Sequence, residues 1–171
     1  MPYREAKRLK ILEELGLLHS EPSANFDRIS HIGALYFKTP ISLVTFIGAD
    51  KQWVKAAFGI SPFSAPREFA FCNETIKGDD LFVVSDTKKD DRFRENPFVV
   101  GSPSIRFYAG APIIYQPGVR LGSVCVIDNA PRTLDRDDRQ MLKYLAELVV
   151  SELRLVKSAR LLLKAYQSGR L

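Results

Sequence analysis

The stretch "RFYAGAPIIYQPGVRLGSVCVID", residues 106–128, has the pattern of two β-strands joined by a turn. β-Branched, aromatic and other apolar residues dominate segments 104–114 and 120–128, and "YQPGV" between them supplies the proline and glycine of a turn. We therefore predict a β-hairpin over these residues. Because the two strands of a hairpin run in opposite directions, this stretch favours an antiparallel sheet.

The segments before this hairpin predict a second hairpin and a further strand. Residues 41–48 and 52–59 are β-branched and aromatic runs joined by the short turn "ADK". Residues 81–86, "LFVVSD", predict a brief strand, and residues 60–68, "ISPFSAPRE", a proline-rich loop. The absence of strand–helix–strand alternation argues against a dinucleotide-binding fold.

Helical periodicity frames these strands at both ends of the chain. We predict one helix over residues 4–17, a short one within residues 69–78, and a long last helix that Thr133 or Asp135 caps. A further helix begins at the N-cap Ser23, and its predicted buried face consists of Phe26, Ile29, Ile32, Gly33 and Tyr36. This order predicts the α+β class, with a mostly antiparallel sheet and helices on one face or at the ends.

The last helix carries a heptad pattern that continues beyond the reach of a small sheet. Its predicted a/d track is Leu142, Leu145, Val149, Val156, Ala159, Leu163 and Tyr166, flanked by Leu148, Leu155 and Leu162. The far end of this helix would pack either on the first helix of the same chain or on a second chain. We expect pairing with a second chain, because an uncovered apolar stripe of this size promotes aggregation.

Composition and charge restrict the classes of function. The 171 residues are 46% hydrophobic and 26% charged, which is typical of one globular domain. No apolar run is long enough for a membrane span and the N-terminus has no signal-peptide pattern, so we expect a cytoplasmic protein. The net charge of +5 equals the contribution of five basic residues after Glu152, so we predict no specific nucleic-acid partner.

The sequence gives little support for a catalytic site or a metal site. The histidines, His19 and His31, are both distant in sequence from Cys72, so no base is evident beside that thiol. No spacing of ligands predicts a zinc site, and residues 86–95, "DTKKDDRFRE", lack the pattern of an EF-hand loop. We predict no catalytic residue, no metal and no cofactor, and interpret Cys125 as a buried apolar residue.

Several motifs in register resemble the GAF domains of bacterial sensor histidine kinases and diguanylate cyclases. The hairpin of residues 106–128 carries the resemblance together with "RLKILEELGLL", "PREFAFCNETI", "VVSDTKKDDRFRENPFV" and "LDRDDRQMLKYLAELVVSEL", over about residues 5–156. The resemblance implies a GAF (PAS-like) fold, with terminal helices on one face of the sheet and pocket-forming loops and short helices on the other. The expected domain covers residues 1–160, and residues 157–171 extend its last helix.

The resemblance also implies a sensory or regulatory function without enzymatic activity. A small molecule would bind beneath residues 61–103, and homodimeric terminal helices would pass the signal to a kinase or cyclase partner. The expected polar contacts are Glu74, Asp86, Arg92 and Arg106. The expected apolar walls are Phe71, Cys72, Phe93 and Tyr108.

Departures from the family pattern leave two other functions open. Many relatives have histidine two positions after the cysteine of the short helix, where this chain has Glu74, and no cysteine here is followed by the histidine of bilin-binding domains. One alternative is a thiol-dependent enzyme of the free methionine sulfoxide reductase type, with Cys72 attacking. The other is a GAF domain without ligand that acts only as a dimerisation scaffold.

Overall fold

The computed structural model describes residues 2–169, and the side chains of residues 5–169. Two single-turn 3-10 helices, Arg67–Phe69 and Thr87–Lys89, lie among the longer elements. In chain order these elements are α1 (Pro2–Glu14), α2 (Ala24–Phe37), β1 (Ile41–Ile47), β2 (Lys51–Phe58), β3 (Ser64–Pro66), α3 (Phe71–Thr75), β4 (Phe82–Val84), α4 (Pro97–Val100), β5 (Phe107–Gln116), β6 (Val119–Asp128) and α5 (Arg136–Gln167).

One antiparallel sheet of six strands forms the centre, in the order β3-β2-β1-β6-β5-β4. Both predicted hairpins are confirmed, as β1–β2 and β5–β6, and so is the α+β class. Strand β3 lies in the segment predicted as a loop, where Ala65 pairs with Gln52. Pro66 is the last residue of this strand, and Pro62 lies two positions before it. Proline argues against a strand in the sequence, but a strand at the edge of a sheet tolerates it.

Alternating side chains divide the core between the two faces of this sheet. Val44 and Phe46 of β1 join the core beneath α1, α2 and α5. Leu43 and Ile47, at the intervening positions, join a second core with α3. The period of two residues in the strands therefore separates a helix-covered face from a face covered by short helices and loops.

Helix α2 begins as predicted but buries a different face. The Ser23 hydroxyl accepts a hydrogen bond from the Phe26 amide at 3.4 Å, which confirms Ser23 as the N-cap. Ile32 and Tyr36, predicted to be buried, are 45% and 41% exposed. The helix approaches the sheet closely through small residues instead. At Gly33 the approach is so close that a Cβ would meet the Ser42 hydroxyl. Ser30, Ala34 and Phe37 complete the buried face.

Helix α5 packs on the sheet only through its first half. Asp135 is its N-cap, in a capping box with Asp138. Leu142, Leu145 and Val149 of the predicted a/d track are buried in the chain's own core, so only the later part of that track is free to pair as predicted. Beyond Leu153, no described residue of this helix is buried. No described helix is long and apolar enough to cross a membrane.

Five exposed apolar residues of α5 form a separate line, which we name the outer stripe. They follow one another at intervals of four, seven, seven and four residues, which places them on one side of the helix, opposite the buried side. The outer stripe consists of Tyr144, Leu148, Leu155, Leu162 and Tyr166, each at least 49% exposed.

Candidate functional site

A cavity of about 260 Å³ lies between the loop-covered face of the sheet and the segment of residues 60–103. We name it the central cavity. Its floor comes from alternate residues of the central strands: Ile41 and Leu43 of β1, Tyr108 of β5, and Cys125 and Ile127 of β6. Strand periodicity therefore builds an apolar floor from three neighbouring strands.

Short helices and loops roof the central cavity. Phe71 and Cys72 of α3 and Phe98 of α4 line it. The rings of Phe63 and Phe98 lie with centroids 6.2 Å apart, and Phe63 is 37% exposed. The cavity lining therefore reaches solvent at Phe63.

One polar group of the cavity wall is buried without a partner. Gln52, on β2, is only 5% exposed and lines the cavity, and its Oε1 accepts no hydrogen bond from any described residue. Leaving a buried acceptor unsatisfied costs about 1–3 kcal/mol. Gln52 was not among the predicted site residues, although it alternates with the buried Val54 in the predicted strand, and this alternation indicates that both side chains lie on the same face.

A network of hydroxyls and thiols lies beneath α3. The Tyr108 hydroxyl is 3.3 Å from the Cys72 Sγ, to which it donates, and 2.7 Å from the Thr75 Oγ1. The same hydroxyl lies 3.4 Å from the Ser123 Oγ, which in turn lies 3.4 Å from the Thr45 Oγ1. All five residues are almost completely buried, so the network fixes α3 to β5, β6 and β1.

The two cysteines are neighbours across this network. Their Sγ atoms lie 3.9 Å apart and both thiols are free. Burial raises the pKa of the Cys72 thiol, but hydrogen bonds from Cys125 and the surrounding hydroxyls outweigh burial and lower that pKa. Burial raises the pKa of the Cys125 thiol well above its usual value. Cys72 is therefore the more acidic thiol of the pair.

The predicted apolar site residues are close together in the structure. Phe71, Cys72 and Tyr108 line the central cavity. Phe93 lies behind this wall, where its ring stacks on that of Phe71 at a centroid distance of 4.3 Å. Their proposed contacts with a ligand stay a prediction, since the geometry shows only where they lie.

The structure places the four predicted polar residues outside the central cavity. Glu74 pairs with Lys77 at 2.6 Å, and Asp86 pairs with Arg106 at 3.0 Å. Arg92 pairs with Asp90 at 2.6 Å. Each charge thus has a partner near solvent, where ions keep most of their hydration, whereas the apolar cavity would remove it.

A second polar network joins α3 to the N-terminal helix. The Arg67 Nε donates to the Asn73 Oδ1 at 2.7 Å, and the Arg67 Nη1 donates to the Glu5 Oε1 at 2.6 Å. The buried Arg8 also donates to Glu5 and fixes α1 to β1 through the Ile47 carbonyl. These contacts, the Arg8 hydrogen bond above all, lower the pKa of Glu5 from 4.5 to about 2.

Metal-ligating side chains are dispersed over the described part of the chain. Among residues 5–169, no group of three or more His, Cys, Asp or Glu side chains is close enough to hold a metal ion. The site that the geometry supports is therefore an apolar cavity with an unpaired amide oxygen and an adjacent thiol–hydroxyl network.

Comparison with known families agrees with this architecture. The family model described as GAF domain matches residues 15–153. The chain belongs to the GAF domain family. This confirms the resemblance inferred from the hairpin of residues 106–128 and the GAF fold that it implies.

A curated relative of this GAF domain is named cyclic di-GMP phosphodiesterase PA2567, from Pseudomonas aeruginosa. The two are 40% identical over 158 residues, which is 92% of this chain and 27% of the relative. The chain thus spans about a quarter of that relative's length.

Two solved structures share the fold of this GAF domain. One is the free methionine-R-sulfoxide reductase from Neisseria meningitidis in complex with its substrate, with a TM-score of 0.66 and 15% identity, covering 91% of this chain and 93% of that one. The other is the GAF domain from an Acinetobacter phosphoenolpyruvate-protein phosphotransferase, with a TM-score of 0.62 and 14% identity, covering 98% of both chains. At these identities the likeness shows the fold alone.

Proposed function

We propose that this GAF domain is a non-enzymatic sensory or regulatory module of bacterial signal transduction, which binds a small molecule in the central cavity. The observation that carries the proposal is the unpaired Oε1 of Gln52, a buried residue in a mostly apolar wall. Ligand sites are concave, mostly apolar, and contain a few polar groups that orient the ligand. A bound molecule with a hydrogen-bond donor would satisfy the amide oxygen that the chain leaves unpaired.

The contacts of α3 offer a route from the cavity to the terminal helices. Phe71 and Cys72 line the cavity, and Asn73, the next residue, accepts a hydrogen bond from Arg67. Arg67 then contacts Glu5 of α1. A ligand that binds one position of α3 better than another would therefore shift α1 as well, because only differential affinity moves a conformational equilibrium.

The output would pass through a dimer of terminal helices. The outer stripe of α5 presents apolar side chains at heptad-like spacing, which a second copy of the chain would cover. The name of the Pseudomonas relative makes a cyclic di-GMP phosphodiesterase a candidate output partner, beside the kinase or cyclase that the sequence analysis expects.

Native mass spectrometry of the freshly purified protein tests ligand binding directly. We expect a co-purified small molecule that is lost from the cavity-filling variant Leu43→Phe, because Leu43 lines the cavity floor. Leu35→Phe adds a similar ring on the exposed surface of α2 and is expected to retain the molecule. A wild-type mass with nothing bound in several preparations would support a scaffold without ligand instead.

The cysteine pair favours one other function, a thiol-dependent reductase. Two thiols 3.9 Å apart beside a cavity have the arrangement that sulfoxide reduction requires. The Cys72 sulfur would attack the sulfoxide sulfur and form a bond to it. The Cys125 sulfur would then attack the Cys72 sulfur, which breaks that bond, releases the thioether and forms a Cys72–Cys125 disulfide. The sulfoxide is then reduced to a thioether, the two thiols are oxidised, and the oxygen leaves with their two protons as water.

A further inference from the structure

We infer that the central cavity selects an uncharged, mostly apolar molecule of about ten non-hydrogen atoms that donates one hydrogen bond to the Gln52 Oε1. This inference rests on the proposed function, since it names the chemical class of ligand for the same cavity. The inference rests on three properties of the cavity: its volume, the absence of charged side chains from the described residues of its wall, and the unpaired acceptor of Gln52.

The volume sets the size of the ligand. An apolar cavity of about 150 Å³ binds benzene, which corresponds to about 25 Å³ for each non-hydrogen atom. The central cavity, at about 260 Å³, would then hold a molecule of about ten such atoms. A bicyclic aromatic compound has this size, whereas a dinucleotide is several times larger.

The wall excludes charged ligands. Within the described part of the chain, no Asp, Glu, Lys, Arg or His side chain lines the central cavity. The nearby charges are held elsewhere: Arg106 pairs with Asp86, and Arg92 pairs with Asp90. A phosphate or carboxylate entering the cavity would lose its hydration without gaining a cation, which is strongly unfavourable. Nucleotides therefore do not fit this cavity chemically.

The amide of Gln52 sets the polarity of the ligand. Its Oε1 is an acceptor without a partner among the described residues, so the matching group is an N–H or O–H donor. The other hydroxyls nearby, those of Tyr108, Thr75 and Ser123, already hydrogen-bond to one another. Ser102 also lines the cavity but is exposed, so water is available to its hydroxyl. Gln52 is thus the buried group of the wall whose hydrogen bonding a ligand would complete.

Calorimetry with three probes of equal heavy-atom number tests the class of ligand. Indole has one N–H donor, benzothiophene has the same bicyclic shape without a donor, and benzoate carries a negative charge. We expect indole to bind about tenfold more tightly than benzothiophene, which corresponds to one hydrogen bond of about 1.4 kcal/mol. Benzoate is expected not to bind.

The variant Gln52→Leu assigns this preference to the amide. It keeps the side-chain size but removes the acceptor, so indole and benzothiophene should then bind equally. Gln116→Leu makes the same exchange on β5, away from the cavity, and should keep the tenfold preference. Circular dichroism and thermal unfolding establish that both variants fold.

The outcomes separate this inference from the proposed function. Binding of benzoate as tight as that of indole, or an unchanged preference in Gln52→Leu, overturns the inference. A charged molecule found in the protein by native mass spectrometry, and lost from Leu43→Phe, also overturns it but supports the sensory function. Failure of every probe to bind, together with the absence of any co-purified molecule, overturns both.

Discussion

The Tyr108 hydroxyl, on the central strand β5, donates a hydrogen bond to the Cys72 sulfur of α3 at 3.3 Å. Both residues are buried and both line the central cavity. The same hydroxyl reaches Thr75, one helical turn further along α3. The short helix above the cavity is therefore held from below by one phenol, and the position of its apolar wall depends on a polar contact.

Removing this phenol is expected to destabilise the fold. Tyr108→Phe deletes the hydroxyl and leaves the buried Thr75 Oγ1 without its partner, which costs about 1–3 kcal/mol of unfolding free energy. Urea denaturation measures this loss. Tyr115→Phe is the matched control, since its hydroxyl makes no hydrogen bond to a described residue, and it should cost clearly less. Equal losses in the two variants would contradict a structural role for the network.

Gly110 leaves the space that the same hydroxyl occupies. A Cβ at this position would overlap the Tyr108 hydroxyl and lie 2.8 Å from the Thr75 Oγ1. We expect Gly110→Ala to lose about 1–3 kcal/mol of unfolding free energy, as overpacking of a core does. Gly78→Ala is the control, because a Cβ there meets nothing closer than 4.0 Å. A stability of Gly110→Ala equal to that of the control would show that the network can move aside freely.

Thiol reactivity separates the sensory function from the reductase. Both thiols are almost fully buried, so we expect iodoacetamide to label neither one in the folded protein and both after unfolding. Mass spectrometry of peptides from the labelled protein identifies the sites. Rapid labelling of Cys72 in the folded protein, lost when Cys72→Ser is labelled in parallel, would favour the reductase, because a nucleophilic thiol must be reached by its substrate.

Local sequence patterns predicted much of this fold, because the two strands and the turn of a hairpin are consecutive in the chain. The strand period and the turn of residues 106–128 were enough for β5 and β6. Strand β3 was not predicted, since it depends on pairing with β2. The buried face of α2 was predicted wrongly in part, since it depends on the close approach of Gly33 to Ser42. Such contacts between distant segments leave no local period.

The candidate site divides in the same way. Phe71, Cys72 and Tyr108 lie on elements that the sequence analysis placed beside the cavity, and they do line it. Thr75 and Ser123 were missed because they meet only through Tyr108, from segments far apart in the chain. The four charged residues were predicted as ligand contacts, but the cost of removing their hydration keeps such side chains out of an apolar cavity.

The ion pair between Glu5 and its arginines predicts a pH dependence of stability. The folded-state pKa of Glu5 is lowered from 4.5 to about 2, so this carboxylate stabilises the fold above pH 4.5 and loses its contribution as the pH falls towards 2. We expect Glu5→Gln to be less stable than the wild type at pH 7 and to approach it near pH 2. Thermal unfolding across this range measures the difference.

The control for this titration is a second carboxylate of the same helix. Glu13 is exposed and makes no ion pair with a described residue, so Glu13→Gln should change stability little at any pH. A difference between Glu5→Gln and the wild type that stays constant from pH 7 to pH 2 would show that the lost stability comes from packing and not from the charge.

The outer stripe predicts dimerisation through α5. Leu155 and Leu162 are 64% and 61% exposed, seven residues apart, on the side of the helix opposite the core. We expect the wild type to be a dimer in light scattering at micromolar concentration. The double variant Leu155→Glu/Leu162→Glu is expected to be a monomer, because a buried unpaired carboxylate costs several kcal/mol. Removal of residues 157–171 should also weaken the dimer.

A change of charge on the other side of the same helix tests whether the outer stripe is the contact. Lys164 lies half a turn away from Leu155 and Leu162, and Lys164→Glu should leave the dimer intact. If both variants dissociate, net charge rather than the stripe controls association. If the wild type is already monomeric, α5 must signal through a partner other than a second copy. The outer stripe would then pack against an apolar surface of an output domain.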